Sequence, residues 1–305
     1  MKAIVAERAG NPDVLVSKEM PTPIPQAGEV LIRIHATGVN PVDFKIRRMG
    51  FGLSFPLILG MDVAGTVAKT GSGAEEFAEG EEVIAKLDFA KQGGYAEYAT
   101  VSVERVIKKP AAVSFEEGAG IPVAALTAWQ ALFEPGHLQA GQRVLIHAAA
   151  GGVGTFAVQF AKRAGAYVIG TASAENHDFL RELGADEVID YRKQKFYEVA
   201  SEIDLVFDAA GNEESLGRSA DVLKKGGTVV SIVGKPVSPR IDSGEVKGIS
   251  FQTVDKRDQL REITDLVASK EVRVIIDRVF PLAEAAGAHA VQEGGHVRGK
   301  LVLVV

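Results

Sequence analysis

Between Ala149 and Gly154 the chain reads Ala-Ala-Gly-Gly-Val-Gly, a run of small residues whose spacing suits the binding of a nucleotide pyrophosphate. Ala149, Gly151 and Gly154 fall at the three positions of a dinucleotide fingerprint, with alanine in place of the first glycine. Side chains this small let the backbone of Ala150, Gly151, Gly152, Val153 and Gly154 come close to phosphates, and the positive end of a following helix attracts their charge. The flanking elements decide whether the motif means anything, because glycine-rich turns also occur in ordinary strand-to-helix connections. Here Val144, Leu145 and Ile146 form an apolar run suited to a strand buried on both faces. Phe156, Val158, Phe160 and Ala161 then give helix surface, Gly165 is a terminator, and a second strand is expected at Tyr167 to Thr171.

An NAD site places Asp or Glu about 20 residues beyond the turn, at the end of the second strand. This chain has Thr171, Ala172 and Ser173 there. A carboxylate ~4 Å from a 2'-phosphate would cost about 4 kcal/mol at an effective dielectric near 20, so its absence favours NADPH. Ser173 offers a hydroxyl, Asn176 and His177 follow on the next first turn, and Tyr191 with Arg192 ends the third strand. Taken singly, Ser173 reads as a helix cap and Arg192 as a solvated charge sooner than as ligands; together, at the edge where the ribose lies, they favour NADPH. Glu175 counts in the other direction, since it can accept a ribose hydroxyl.

The chain has 305 residues, 46% of them hydrophobic and 24% charged, a balance that suits a soluble protein of two domains. A net charge of -6 argues against binding nucleic acid or anionic membranes. The apolar region Ala119 to Phe133 is interrupted by Pro122, Thr127 and Gln130 and is shorter than the ~18 residues of a membrane span. The start, MKAIVAERAG, lacks a secretory apolar core, so the expected location is cytoplasmic. With no cysteine there is no disulfide, thiolate nucleophile or sulfur-ligated zinc.

Residues 1 to about 120 read as short strands with few helical periods: Ala3 to Ala6, Val30 to Ala36, Gly65 to Lys69, Glu82 to Lys86 and Tyr95 to Val101. That pattern suits a β-barrel. Strands at 143–148, 167–171, 187–190, 203–209 and 228–233 then alternate with helical stretches near 153–164, 174–183, 194–200 and 212–224, which predicts a doubly wound parallel sheet. Its ligand crevice should gather the glycine turn, Thr171 to Ser173, Asp208 to Gly211 with Ala209, and Val233 to Lys235 at the strand ends. After a helix near 258–269, strands at 272–279 and 300–305 should rejoin the first domain. The expected domains are therefore 1–120 with 271–305, and 121–270.

Several blocks in order resemble the medium-chain dehydrogenase/reductase superfamily, specifically its zinc-free NADPH:quinone oxidoreductase branch, which includes zeta-crystallin and the plant enone reductases. They are GEVLIRIHATGVNPVDFKIRRMG at 28–50, PLILGMDVAGTVAKTGSG at 56–73, GGYAEYATV at 93–101, ALTAWQALF at 125–133, HAAAGGVGTFAVQFAK at 147–162, LGADEVIDY at 183–191 and GHVRGKLVLV at 295–304. The resemblance implies an α/β chain with a GroES-like β-barrel domain, a Rossmann domain, a cleft between them and a homodimer. Zinc alcohol dehydrogenases of the same superfamily carry a catalytic cysteine about where this chain has Asn40 or Pro41, and Gly-His-Glu where it has Gly60, Met61 and Asp62. The six histidines, 35, 137, 147, 177, 289 and 296, show no ligand spacing, so no metal site is expected. Reducing a simple carbonyl builds alkoxide charge that a Lewis acid would stabilise. A quinone or enone instead spreads the charge into a conjugated system, which makes such acceptors the expected substrates.

By resemblance, Asn40 faces the nicotinamide and orients its carboxamide or the substrate oxygen. As sequence alone it is equally a turn residue before Pro41. Lys45 matches a cofactor-contacting lysine in the alkenal reductases, against the reading of a solvated lysine beside Arg47 and Arg48. Asn40 and Lys45 are thus the candidate catalytic residues. Thr127 matches a residue that reaches the cofactor, and otherwise bonds its own helix. Arg298 and Lys300 would close the cleft beside the cofactor, or lie on the surface. Asp43 is read as an acid that fixes the loop. Phe44 stands where related quinone reductases carry tyrosine, leaving water to protonate the product. Phe51, Phe55 and Phe89 are candidates for the acceptor wall. Gly294 to Lys300 has P-loop spacing, but Leu301 replaces the required Ser or Thr. No Gly-X-Ser-X-Gly elbow suggests a serine hydrolase. The expected activity is NADPH-dependent hydride transfer to a quinone, with a 2-alkenal or other enone as the alternative acceptor. A reading of another class is an NADPH-binding structural or sensory protein with little turnover.

Overall fold

A computed structural model of the chain describes residues 1–50, 52–91 and 93–305. Its strands are β1 (Lys2–Ala6), β2 (Leu15–Glu19), β3 (Glu29–Val39), β4 (Leu57–Ile58), β5 (Asp62–Thr70), β6 (Glu82–Lys86), β7 (Tyr98–Ser102), β8 (Val106–Lys108), β9 (Arg143–His147), β10 (Tyr167–Ala172), β11 (Glu187–Asp190), β12 (Ile203–Asp208), β13 (Leu223–Ser231), β14 (Lys247–Ser250), β15 (Ile276–Pro281) and β16 (Lys300–Val304). Four helices matter most here: α1 (Pro41–Met49), α2 (Phe115–Gly120), α3 (Pro122–Phe133) and α4 (Gly152–Arg163). The chain forms two units, Met1–Ala124 with Asp255–Val305, and Ala125–Val254. These limits differ from the expected 120/121 and 270/271. The first falls inside α3, and the helix Arg257–Ala268 joins the first unit, where Arg257 pairs with Glu76 at 2.6 Å and stacks on Phe77.

In the first unit β3 is the central strand. It pairs antiparallel with β5, β7 and β16, in a sheet ordered β15-β16-β3-β5-β6-β8, and a second sheet runs β2-β1-β4. Alternate residues Val30, Ile32 and Ile34 bury one face with Val63, Val67, Val83 and Phe77. Around the other end, Val39 and Ile46 pack with Leu59, Tyr95, Leu301 and Leu303. Each such side chain stabilises the fold by about 1.5–3 kcal/mol relative to exposure.

This unit is not as poor in helix as its sequence suggests. Helix α1 starts at Asn40, whose backbone N–H donates to the Asp43 carboxylate at 2.8 Å, has Pro41 in its first turn, and ends at Gly50 with φ +74°. Its apolar stripe is short, so the terminal residues carry most of the signal. Helix α2 starts at a Ser114/Glu117 capping box that the sequence reading overlooked. Strands β2, β4 and β8 were likewise not anticipated, and β15 begins at Ile276 rather than 272.

The second unit is a parallel sheet ordered β11-β10-β9-β12-β13-β14. Counted from β9, this is the doubly wound order whose direction reverses between β9 and β12. Edge strand β14 adds to the five expected strands, and the stretch expected as one helix over 212–224 is a helix at Glu213–Arg218 followed by a 3-10 turn at Ser219–Val222. His147 pairs in register with Asp208, Asp208 with Ser231, and Ala172 with Asp190, so the strand ends line up along one edge.

Candidate cofactor and acceptor site

In the second unit the glycine turn lies at the carboxyl end of β9. Ala148 takes φ +53°, Gly151 caps α4, and the first-turn amides of Gly152, Val153 and Gly154 have no carbonyl within the helix to bond. A Cβ on Gly154 would come within 2.2 Å of the Ala148 carbonyl oxygen, so the turn can close against the helix only with glycine there. Alanine substitutes for the first glycine because its neighbour strand gives way: a Cβ on Gly170 would meet the Ala149 methyl at 2.9 Å. The Ala149 N–H also donates to the Thr171 carbonyl at 3.1 Å, joining the turn to the end of β10.

That end carries no carboxylate. Thr171 and Ser173 are buried, and Ser173 Oγ accepts from Asn176 Nδ2 at 3.1 Å instead of capping the 3-10 turn that follows. His177 Nε2 is buried with no protein partner among the described residues. Tyr191 is 51% exposed, with Arg192 above its ring and 3.5 Å from Glu175. These groups fit a 2'-phosphoribose: an unpartnered imidazole, a hydroxyl and a guanidinium, with Glu175 held by that guanidinium.

Two buried residues support this edge. His147 bridges Thr171 Oγ1 and Ser219 Oγ, each at 3.2 Å, and burial pushes its imidazole down to about 4 against the pull of Asp208. Asp208 accepts from the backbone N–H groups of Ala210 (2.9 Å) and Gly211 (3.1 Å) and from the hydroxyls of Ser215 and Ser231. It thereby shapes the loop containing Ala209. Gly211 sits against Val233, whose Cγ2 a Cβ would meet at 2.4 Å. Thr127 is buried on α3 with its hydroxyl bonded to that of Thr253, while Gln130 exchanges two hydrogen bonds with the Val254 backbone.

In the first unit, strand register assembles a charged cluster. Gly38 of β3 is opposite Asp62 of β5, and Val39 is opposite Leu301 of β16. Asn40, Asp62 and Lys300 therefore converge, at 3%, 0% and 3% exposure. Asn40 Nδ2 donates to Asp62 Oδ2 at 2.9 Å, and Lys300 Nζ donates to Asn40 Oδ1 and to the Val39 carbonyl. Lys300 Nζ is 3.6 Å from Asp62 Oδ2, and Asp62 Oδ1 accepts from Val123 N–H at 2.9 Å. Burial presses the Asp62 carboxyl up and the Lys300 ammonium down, opposed by their mutual attraction. Lys300 is thus turned into the unit rather than lying on the surface, and Arg298 is half-buried just before it.

Asp43 belongs to a second buried chain. Arg47 can only donate, so the His289 Nδ1 that lies 3.2 Å from it is an acceptor, and the ring proton sits on Nε2. His289 then donates to Tyr95 Oη (3.0 Å), and Tyr95 donates to Asp43 Oδ2 (3.2 Å). Burial and Arg47 push His289 down to about 3, while burial raises Asp43 to about 7. Asp43 Oδ1 has no partner among the described residues. Sequence reasoning missed Tyr95, Arg47 and His289 in this role; nothing in a single sequence pairs residues so far apart. Lys45 is half-buried on α1, with no hydrogen bond or ion pair among the described residues. Of the expected aromatic wall, Phe55 packs into the core beside Leu59, Phe89 is 42% exposed, and Phe51 lies outside the described residues.

Among known proteins, a family model described as an alcohol dehydrogenase GroES-like domain matches residues 26–111, and one described as a zinc-binding dehydrogenase matches 183–303. The chloroplast envelope quinone oxidoreductase homolog of Arabidopsis thaliana is 35% identical over 93% of this chain and 92% of its own. This chain belongs to the medium-chain dehydrogenase/reductase superfamily, in its zinc-free quinone oxidoreductase branch. The NADPH-dependent alkenal/one oxidoreductase of the same plant is 34% identical, covering 99% of this chain and 79% of that one. The solved quinone oxidoreductase from Coxiella burnetii superposes with a TM-score of 0.94 at 36% identity, covering 100% of this chain and 99% of that one. In superfamily terms the first unit is the GroES-like domain and the second the Rossmann domain. Of the positions the sequence resemblance sets against zinc ligands, Asn40 or Pro41 for the cysteine and Asp62 for the glutamate, Asn40 and Asp62 are bonded to each other. Among the described residues no group of three His, Asp or Glu side chains could hold a metal, and no helix is long and apolar enough to cross a membrane.

Proposed function

We propose that the chain is an NADPH-dependent reductase of quinones, working without zinc, in the cytoplasm and as a homodimer. The observation that carries this reading is the glycine turn at the head of α4, joined through Ala149 to a β10 end that offers hydroxyl, amide and imidazole groups and no carboxylate. The free amides of Gly152, Val153 and Gly154 bind the pyrophosphate, with Ala150 and Gly151 giving close backbone approach. Thr171, Ser173, Asn176, His177 and Tyr191 receive the 2'-phosphoribose, while Ala209 and Val233 line the strand ends beside the nicotinamide half. Thr127, Arg298 and Lys300 complete the binding residues, Thr127 and Lys300 through the side chains they hold in place.

Bound NADPH supplies a hydride to the conjugated ring. The Asn40 amide donates a hydrogen bond to the acceptor oxygen that gains charge, and Lys45 adds a positive charge nearby. With Phe44 at the tyrosine position, water delivers the proton that completes the hydroquinone. The similarity to an alkenal/one oxidoreductase favours a second reading in which the acceptor is a 2-alkenal.

The test is NADPH oxidation with 1,4-benzoquinone, 9,10-phenanthrenequinone and a 2-alkenal in parallel. Turnover of the quinones with a lower KM for NADPH than for NADH supports the proposal, and turnover of the alkenal alone moves it to the second reading. Tight NADPH binding with no turnover of any acceptor would make the chain a binding protein. A monomer in sedimentation equilibrium would remove the dimer.

A further inference from the structure

The cluster of Asn40, Asp62 and Lys300 assigns an orientation that most asparagines lack. Amide oxygen and nitrogen are ordinarily interchangeable in a structure. Here a lysine ammonium, which can only donate, sits on one amide atom, and a carboxylate, which accepts, sits on the other. The atom facing Lys300 must be oxygen and the atom facing Asp62 must be nitrogen. The carboxylate is itself fixed, since its second oxygen takes the Val123 N–H, and the ammonium is held by the Val39 carbonyl. All three side chains are more than nine-tenths buried, so solvent competes little for any of these bonds.

We propose that Asp62 and Lys300 are positioning residues for the reduction: they lock the Asn40 carboxamide in one orientation and polarise it, making its remaining Nδ2–H the donor to the acceptor oxygen. A cation on the carbonyl oxygen draws electron density from the amide nitrogen and strengthens its N–H groups as donors. One of those N–H groups goes to Asp62. The other has no protein partner among the described residues. The inference rests on the proposed role of Asn40, which it deepens by giving the amide a fixed direction and a source of polarisation inside the protein.

Removing Lys300 alone would strand a buried carboxylate and threatens folding. The informative variant is therefore Asp62→Asn with Lys300→Met, which removes both charges while leaving an amide oxygen to accept from Asn40. With 1,4-benzoquinone, kcat should fall by about tenfold, less than the loss of a whole oxyanion donor. Placed in an Asn40→Ala background, the same two substitutions should change kcat by less than about twofold, because they act through the missing amide. Equal losses in both backgrounds, or full kcat in the folded double variant, would overturn the proposal. If the double variant does not fold, Lys300→Arg gives the reading: a cation kept on Oδ1 should hold kcat within about threefold of the parent, and a tenfold loss overturns it. Asn40→Ala alone separates the two levels. Unchanged kcat removes Asn40 as donor and this inference with it, whereas lowered kcat with additive losses removes only the inference.

Discussion

Asp43 is a buried carboxyl with one oxygen bonded twice and the other not at all, and its proton has thermodynamic consequences. Its folded pKa, about 7, lies above the value of about 3.9 expected in an unfolded chain. The folded state therefore holds a proton that the unfolded state releases, so this contribution to stability is fully present below about pH 4 and is lost as pH rises through 7. In Asp43→Asn that slope should vanish: urea unfolding of parent and variant should diverge by about 4 kcal/mol between pH 4 and pH 8, with the parent losing more. Parallel curves would contradict the assignment. A second expectation concerns Gly154, where an added Cβ meets backbone rather than a flexible side chain. Gly154→Ala should lower NADPH affinity by at least about tenfold in a calorimetric titration, since the turn must open to admit it. The fingerprint was readable at this scale because its meaning is local. Why alanine serves as its first position was not, since the answer is Gly170 on the neighbouring strand.

Three strand ends make the first unit's cluster, and their register decides which side chains meet. Gly38 is the element-level constraint: a Cβ there would lie 2.3 Å from the Ala119 carbonyl oxygen on α2 and 3.1 Å from Asp62 Cβ. Gly38→Ala should destabilise the protein by about 1–3 kcal/mol, seen as a lowered Tm, and should reduce kcat as well by displacing Asp62. A variant as stable and as active as the parent would show that β3, β5 and α2 tolerate a shift. Alternation along β3 and the apolar run of β9 announced those strands in the sequence. The pairing of β3 with β16 did not, because Asn40 and Lys300 are 260 residues apart and nothing local links them. Helix α1 was hidden for a different reason. Its nine residues include three cations and a buried carboxyl, so its start was marked by Pro41 and Asp43 more than by apolar period.

Across the whole molecule, two buried neutral histidines oppose Asp43. His147 at about 4 and His289 at about 3 both titrate below the ordinary value of 6.5, so their contributions are present above pH 6.5 and are lost as pH falls toward those values. Two protons outweigh one, and the balance of these three groups puts greatest stability near neutrality. Tm should fall between pH 7 and pH 4.5, and a flat or rising profile would show that other groups dominate. The two-domain plan was legible from the change of pattern near residue 120 and from strand-like sequence returning at the end. The placement of the helix Arg257–Ala268 was not, since its partner Glu76 is distant in sequence. The discontinuity also imposes an order of birth. The Rossmann unit, Ala125–Val254, is one continuous stretch and can fold as the ribosome releases it, while the GroES-like unit waits with the Ala36–Val39 end of β3, beyond the part that β7 covers, unpaired on one edge. At about 5–20 residues per second, that edge stays open for on the order of tens of seconds before β16 arrives to cover it. Lys300 travels on that late strand, so a nascent chain holds its nucleotide fold well before Asn40 acquires its cation.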